Sequence, residues 1–207
     1  MDKKNILVLA TGNRNKYKEI VEIIDLPGWE IKFLKDFPHI STPEETGTTY
    51  EENALIKAKS CAELLKYPSL SDDSGLEVDV LEGRPGVYSS SYGGVEGDSE
   101  RNIQRLLSEM EGVPWHKRTA RFICCAMLVL PNGFTHCEKG TIEGHIAIEP
   151  YGDNGFGYDP IFVPLGYENT FAELPPEEKN KISHRALAFQ QMADFLRGFN
   201  YVDCSTR

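Results

Sequence analysis

The sequence SLSDDSGL, residues 69–76, is the stretch around which the rest of the chain is organised. Two adjacent carboxylates, Asp72 and Asp73, follow a short apolar lead, and the apolar pattern resumes after the glycine. Because neighbouring side chains on an extended backbone point to opposite faces, we expect the two aspartates to have different roles: one holds a metal or a water, and the other anchors the turn. Ser74 and Gly75 permit a tight reversal of the chain. A solvated turn between two strands is the alternative interpretation.

The composition is typical of a globular protein with an acidic balance. The chain has 207 residues, of which 40% are hydrophobic and 26% charged, and its net charge is -10. This length allows one large domain with a sizeable core. The negative charge disfavours a nucleic-acid-binding protein, which needs a basic surface. The absence of an apolar run near 18 residues and of a signal peptide predicts a protein without a membrane span. Five cysteines without a Cys-x-x-Cys pair predict reduced, mostly buried thiols in the cytoplasm.

A possible phosphate-binding turn lies near the start of the chain. ILVLA, residues 6–10, predicts a strand buried on both faces. TGNRNK, residues 11–16, follows it, and apolar residues at 17, 20, 21 and 24 then repeat with a helical period. Strand, polar turn and helix aim free N–H groups and a positive dipole end at a phosphate, and Lys16 adds a charge. The turn is neither a Walker A loop nor Gly-x-Gly-x-x-Gly, and an ordinary α/β turn is the alternative.

An acidic loop and a helix come next. The loop STPEETG, residues 41–47, carries two carboxylates and is most simply a solvated turn. Thr49 and Glu52 form a capping box, which predicts a helix to about Leu65. Asn53 and Lys57 are four residues apart and share one face of that helix. A surface lysine is the alternative for Lys57.

The middle of the chain predicts a long ordered loop or lid over residues 81–97, followed by a helix from Asp98 through Met110. A strand over residues 119–130, a hairpin turn over 131–134 and a returning strand over 135–142 follow. These two strands predict an antiparallel part of the sheet.

Two further stretches carry groups suited to a planar ligand. GDNGFGYDP, residues 152–160, leaves Phe156 free to lie flat against such a ligand, and Asp159 could accept hydrogen bonds from a base edge. A glycine-rich turn with a core aromatic is the alternative. PPEEKNKISHR, residues 175–185, begins the last predicted helix and concentrates positive charge in an acidic chain. A surface histidine beside an arginine is the alternative there.

Taken together, these stretches closely resemble the inosine triphosphate pyrophosphatase family, in its bacterial form with an Asp-Asp pair. The matching motifs lie in family order and cover nearly the whole chain. They are TGNxxK (11–16), EETG (44–47), ENA with Lys57 (52–57), SDDSGL (71–76), PGVYS (85–89), GFGYDPIF (155–162) and EKxxISHR (178–185).

The resemblance implies an α/β fold with a curved mixed β-sheet flanked by helices. It implies one elongated, two-lobed domain over residues 1–207, with the active site in the cleft between the lobes. The implied reaction is Mg²⁺-dependent hydrolysis of non-standard purine nucleoside triphosphates (ITP, dITP and XTP) to the nucleoside monophosphate and pyrophosphate. The implied protein is a cytoplasmic homodimer that binds neither nucleic acid nor a membrane.

The resemblance also implies residue roles. The phosphates would be bound by Thr11, Gly12, Asn13, Arg14, Asn15, Lys16 and Lys57. Other substrate contacts would come from Ser74, Phe156, Gly157, Tyr158, Asp159, Lys179, His184 and Arg185. The metal would be held by Glu44, Glu45 and Asp73, and Asp73 would also be the general base. Spacing does not decide between Glu44 and Glu45, although Glu44 is preferred, and Asp72 is structural or supporting.

The chemistry of the residues agrees with these roles. Carboxylates can lie near a triphosphate only if a cation lies between them, and Mg²⁺ prefers oxygen ligands. Inosine presents an acceptor O6 where adenine presents an amine donor, so a donor from Arg185 or His184 would favour inosine. One alternative is a nucleotide-binding sensor without turnover. Another is a phosphatase with an aspartyl intermediate, which Asp72 and Asp73 superficially suggest.

Overall fold

The computed structural model describes residues 4–199, and its centre is a six-stranded β-sheet. The strands are β1 (Asn5–Leu9), β2 (Trp29–Phe33), β3 (Ser69–Val78), β4 (Thr119–Val129), β5 (Thr135–Ile146) and β6 (Phe162–Pro164). Their order across the sheet is β2-β1-β3-β4-β5-β6. β1 is parallel to β2 and β3, whereas β5 is antiparallel to β6. The predicted α/β class with a mixed sheet is therefore confirmed. Cys204 lies outside the described residues.

Five α-helices are present within residues 4–199. They are α1 (Arg14–Ile23), α2 (Tyr50–Leu65), α3 (Ser99–Glu109), α4 (Pro176–Ile182) and α5 (His184–Gly198). The predicted capping box of α2 is confirmed, because Thr49 and Glu52 exchange side-chain to backbone hydrogen bonds. The predicted cap of α3 is also confirmed, since the Asp98 side chain accepts from the Arg101 N–H.

The prediction of one continuous last helix is wrong. Ser183 has an extended backbone, with φ -66° and ψ 158°, and it separates α4 from α5. Its hydroxyl accepts a hydrogen bond from the Ala186 N–H at 3.1 Å, as a residue that caps a helix does. One serine therefore ends α4 and opens α5, which places His184 and Arg185 in the first turn of a new helix.

The predicted chain reversal at Ser74 and Gly75 is also wrong. Residues 69–78 form one continuous strand, β3, which lies between β1 and β4 in the sheet. Backbone pairing on both sides of a central strand outweighs the turn preference of Ser-Gly, because tertiary context decides strand formation more than local propensity does. Asp72 and Asp73 are therefore fixed on a buried strand.

The chain divides into two compact units. The first contains the residues up to Asp73, Cys125–Glu138 and the chain from Ala188 onward, and the second contains Ser74–Cys124 and Lys139–Leu187. In the first unit, alanines of α2 pack against Cys125, Met127 and Val129 of β4. In the second, Phe122, Phe162 and Phe171 belong to one apolar core. That residues 1–207 form one domain with the site in a cleft stays a prediction. No helix within residues 4–199 is long and apolar enough to cross a membrane.

Candidate active site

The turn between β1 and α1 is held by its own side chains. Asn13 Oδ1 accepts hydrogen bonds from the N–H groups of Asn15 at 2.9 Å and Lys16 at 3.2 Å. The Thr11 hydroxyl accepts from the Asn13 N–H at 3.1 Å. The expectation that the helix start leaves free N–H groups is wrong for Asn15 and Lys16, because Asn13 already occupies them. A Cβ added at Gly12 would lie 3.6 Å from Thr42 Cγ2, so the acidic loop passes close to this turn.

Lys16 and Asp72 form an ion pair in the first unit. Lys16 Nζ lies 3.0 Å from Asp72 Oδ2, and the Asp72 side chain is fully buried. A buried carboxylate needs such a partner, since an uncompensated charge would be costly. Asp72 therefore holds the ammonium group of Lys16 next to strand β3, in the supporting role that the sequence left open for it.

Asp73 contacts a different lysine. Lys57 Nζ donates to Asp73 Oδ1 at 2.9 Å and to Glu45 Oε2 at 2.7 Å. The Lys57 and Asp73 side chains are largely buried, whereas the Glu45 side chain is 41% exposed. One ammonium ion thus joins two carboxylates from the acidic loop and from β3. We call Glu45, Lys57, Asp73 and the Lys16–Asp72 pair the lysine–carboxylate cluster.

The charges of this cluster depend on one another. Burial alone would lower the pKa of Lys57, but Asp73, Asp72 and Glu45 raise it above its ordinary value. Burial raises the pKa of Asp73 above its ordinary value, although Lys57 and Lys16 oppose the shift. Asp73 is therefore a stronger base than a solvent-exposed aspartate.

Asn53 completes the cluster and was missed as a site residue. Its Oδ1 accepts from the Gly47 N–H at 2.8 Å, and its Nδ2 lies 3.5 Å from Asp73 Oδ2. A Cβ at Gly47 would lie 2.6 Å from Asn53 Oδ1, so only glycine permits this approach. The shared helical face of Asn53 and Lys57 was the available signal, and both side chains do contact Asp73.

A second group of side chains lies in the second unit, around Phe156. Asp159 Oδ2 accepts hydrogen bonds from the Phe156 N–H at 2.8 Å and from Lys179 Nζ. Lys179 Nζ also lies 5.1 Å from the centroid of the Phe156 ring. Gly155 has φ 76°, and a Cβ there would lie 2.1 Å from Asp159 Oδ2. Asp159 therefore fixes the backbone of Phe156 and the ammonium group of Lys179.

Arg185 contributes to the same group. Its Nη2 donates to the Ser74 hydroxyl at 3.3 Å, and its guanidinium carbon lies 5.5 Å from the Phe156 ring centroid. The residue is only 2% exposed. We call Phe156, Asp159, Lys179, Arg185 and Ser74 the aromatic–cation cluster. Both cations lie over the Phe156 ring, so one aromatic side chain and two donor groups come together in this cluster.

Two other residues that were predicted to contact the substrate make packing contacts within the second unit. The His184 ring stacks on Phe122, with centroids 4.6 Å apart and an angle of 11°. Tyr158 is buried, and its hydroxyl donates to the Ser89 carbonyl at 2.9 Å. That these two residues, together with Gly157, contact a substrate stays a prediction. Phe122 gave no signal in the sequence beyond its place on a strand.

Comparison with known proteins places the chain among relatives of similar length. It is 47% identical over 189 residues to a dITP/XTP pyrophosphatase of Halalkalibacterium halodurans, a match that covers 91% of this chain and 97% of the relative. It is 45% identical over 189 residues to a dITP/XTP pyrophosphatase of Bacillus subtilis, covering 91% and 96%.

A solved structure and a family model agree with these matches. The structure of a HAM1 protein from Coxiella burnetii superposes with a TM-score of 0.85 at 40% identity, covering 94% of this chain and 100% of that one. The model of the Ham1 family matches residues 7–195. The resemblance drawn from the sequence motifs is thereby confirmed. The chain belongs to the Ham1 family.

Proposed function

We propose that this protein hydrolyses non-standard purine nucleoside triphosphates, of the dITP and XTP class, to the nucleoside monophosphate and pyrophosphate. The observation that carries the proposal is the buried Asp73 beside Lys57, whose ammonium group also donates to Glu45. The dITP/XTP pyrophosphatases named above, to which the chain is similar over nine-tenths of its length, support the substrate class.

The lysine–carboxylate cluster suits the phosphate chemistry. Asp73, with its pKa raised by burial, accepts the proton of the attacking water. Lys16 and Lys57 supply positive charge that stabilises the negative charge building up on the reacting and departing phosphates. Asp72 keeps Lys16 in place for this task. No covalent intermediate is required.

The same cluster fits Mg²⁺. Glu45 and Asp73 already contact one cation, the ammonium group of Lys57. Mg²⁺ is commonly bound by one or two carboxylates together with substrate phosphates and waters, so the pair suffices even though residues 4–199 contain no group of three or more His, Cys, Asp or Glu ligands. When bound, the ion would neutralise phosphate charge and polarise the reacting phosphate.

The two loop glutamates should differ in their effect on metal dependence. Glu45 reaches the cluster through Lys57, so we expect Glu45→Gln to raise the Mg²⁺ concentration needed for half-maximal turnover by about tenfold, since each ligand of a site contributes to its affinity. Glu44→Gln, its neighbour in the same loop, is the matched control and should change it less. Titration calorimetry of Mg²⁺ with a non-hydrolysable analogue measures the same difference without turnover. A larger effect of Glu44→Gln than of Glu45→Gln on the required Mg²⁺ concentration would support Glu44 as the metal ligand, which is the residue preferred from the sequence.

The aromatic–cation cluster suits base recognition. Arg185 and Lys179 lie over the Phe156 ring and bring hydrogen-bond donors next to an aromatic side chain. Inosine and xanthosine present acceptor oxygens at the position where adenine carries an amine. A donor fixed at that position therefore favours the non-standard bases and leaves adenine with donor against donor.

A product assay tests the proposed function. Purified protein is incubated with dITP, XTP, dGTP and dATP in the presence of Mg²⁺, and the products are identified. Pyrophosphate and the monophosphate should appear from dITP and XTP, faster than from dGTP or dATP. Orthophosphate alone would favour the aspartyl phosphatase, and tight binding without products would favour the sensor.

We further infer that the protein acts as a homodimer in the cytoplasm, without nucleic acid. This inference rests on the family resemblance and on the net charge of -10. Light scattering of the purified protein would give twice the chain mass for a dimer, and a single-chain mass would contradict it.

A further inference from the structure

Two thiols meet on the adjacent strands β4 and β5, in the first unit. Cys125 Sγ and Cys137 Sγ are 2.9 Å apart. A disulfide bond is about 2.05 Å long, so the sulfur atoms need to approach by only about 0.9 Å to form one. Cys125 is fully buried, whereas Cys137 is half-buried. A partly exposed cysteine is therefore placed next to a fully buried one.

We propose that Cys125 and Cys137 are a reversible oxidation site for hydroperoxides. The Cys137 thiolate attacks the peroxide O–O bond, which breaks to leave Cys137 sulfenic acid and an alcohol or water. The Cys125 sulfur then attacks the Cys137 sulfur, the Cys125 thiol proton passes to the departing oxygen, the S–O bond breaks, and the oxygen leaves as water. In total, two thiols and one hydroperoxide give one disulfide, one water and one alcohol or second water. A dithiol reductant reverses the reaction.

The other buried thiols are poorly suited to this reaction. Cys61 and Cys124 are both buried. Burial also raises the pKa of the Cys61 thiol, which disfavours the reactive thiolate. The partly exposed Cys137 is thus the cysteine that a peroxide meets first, and Cys125 is the thiol that resolves it.

The cysteine pair lies against helix α2, so its oxidation state affects the packing of that helix. Cys125 packs against Ala54, Ala58 and Ala62 of α2, and Cys137 lies at the edge of the same apolar cluster. Further oxidation of Cys137 to a sulfinic acid would place a charge against this face, and burying a charge is costly. The disulfide adds no charge. Rapid resolution by Cys125 therefore protects the packing of α2, the helix that carries Lys57.

The test oxidises the purified full chain with hydrogen peroxide and then measures intact and peptide masses after thiol blocking. The wild type should lose two of its five thiols as an internal Cys125–Cys137 disulfide, and dithiothreitol should restore both. Cys125→Ala should instead accumulate sulfinic acid at Cys137, which dithiothreitol does not reverse. Cys137→Ala should keep the Cys125 thiol reduced under the same treatment.

Matched controls use the other cysteines. Cys124→Ala, next to Cys125 on the same strand, and Cys204→Ala should both keep the disulfide. Circular dichroism confirms the fold of each variant, and Cys137→Ala tests the pair even if Cys125→Ala does not fold. A disulfide that includes Cys204, a link between two chains, or five free thiols after treatment would overturn the proposal. These masses are read without substrate, so they are independent of the proposed hydrolysis.

Discussion

Asp73→Asn is expected to lower kcat for dITP and XTP by about 10²- to 10⁴-fold, the usual contribution of a general base. Asparagine has the same shape as aspartate but cannot accept the proton of the attacking water. The substitution also removes one of the two carboxylates that hold Lys57. Binding of a non-hydrolysable analogue should stay close to that of the wild type, because the aromatic–cation cluster is untouched.

The measurement compares kcat with the dissociation constant of that analogue. Glu63→Gln is a matched control, since Glu63 is an exposed acid on α2, the helix that carries Lys57. Thermal unfolding verifies that both variants are folded. Near-normal turnover of Asp73→Asn would remove the role of general base from Asp73. Loss of binding together with turnover would leave it with the metal role alone.

Arg185→Ala is expected to narrow the preference for dITP over dATP by about 10²-fold or more, because a site built around a hydrogen bond to its substrate discriminates strongly through that bond. The guanidinium group is buried beside Phe156 and Ser74. Its loss removes the donor that we propose for an acceptor oxygen at position 6 of the base. The fall should come mainly from slower dITP hydrolysis.

The ratio of kcat/KM for the two nucleotides measures this effect. Arg197→Ala is the matched control, because Arg197 is an exposed arginine in the last turn of the same helix, α5. Arg185→Lys keeps the charge but loses the planar fork of donors, so an intermediate ratio is expected. If the ratio of kcat/KM for dITP to that for dATP is unchanged in Arg185→Ala, the proposal that Arg185 recognises the group at position 6 of the base is refuted.

Local signals in the sequence predicted most elements of the fold. The apolar run at 6–10 and the capping box at Thr49 and Glu52 each depend on neighbouring residues, and both predictions agree with the structure. The reversal at Ser74 and the continuous last helix failed for different reasons. At Ser74, pairing of β3 with strands distant in sequence decided the structure. At the last helix, the Ser183 side chain accepts from the Ala186 N–H and so divides the helix in two.

The candidate site was predictable in its chemistry more than in its contacts. Alternation along an extended strand gave Asp72 and Asp73 different partners, Lys16 and Lys57. The sequence could not reveal that Asp159 binds Lys179 and the Phe156 N–H, or that His184 stacks on Phe122. The Asp159–Lys179 and His184–Phe122 contacts arise only when segments far apart along the chain pack together. Spacing also could not choose between Glu44 and Glu45, since both belong to one short loop.

The two ends of the Asn53 side chain make different hydrogen bonds, and few other residues could make both. Its side-chain carbonyl accepts from the Gly47 N–H, and its amide NH₂ faces the acceptor Asp73. An aspartate of the same shape would turn the donor into a second anion beside Asp73, and a serine or alanine could not reach both. A glutamine is one carbon longer and would move the loop that carries Glu45. A single amide therefore couples the position of the acidic loop to that of the buried carboxylate.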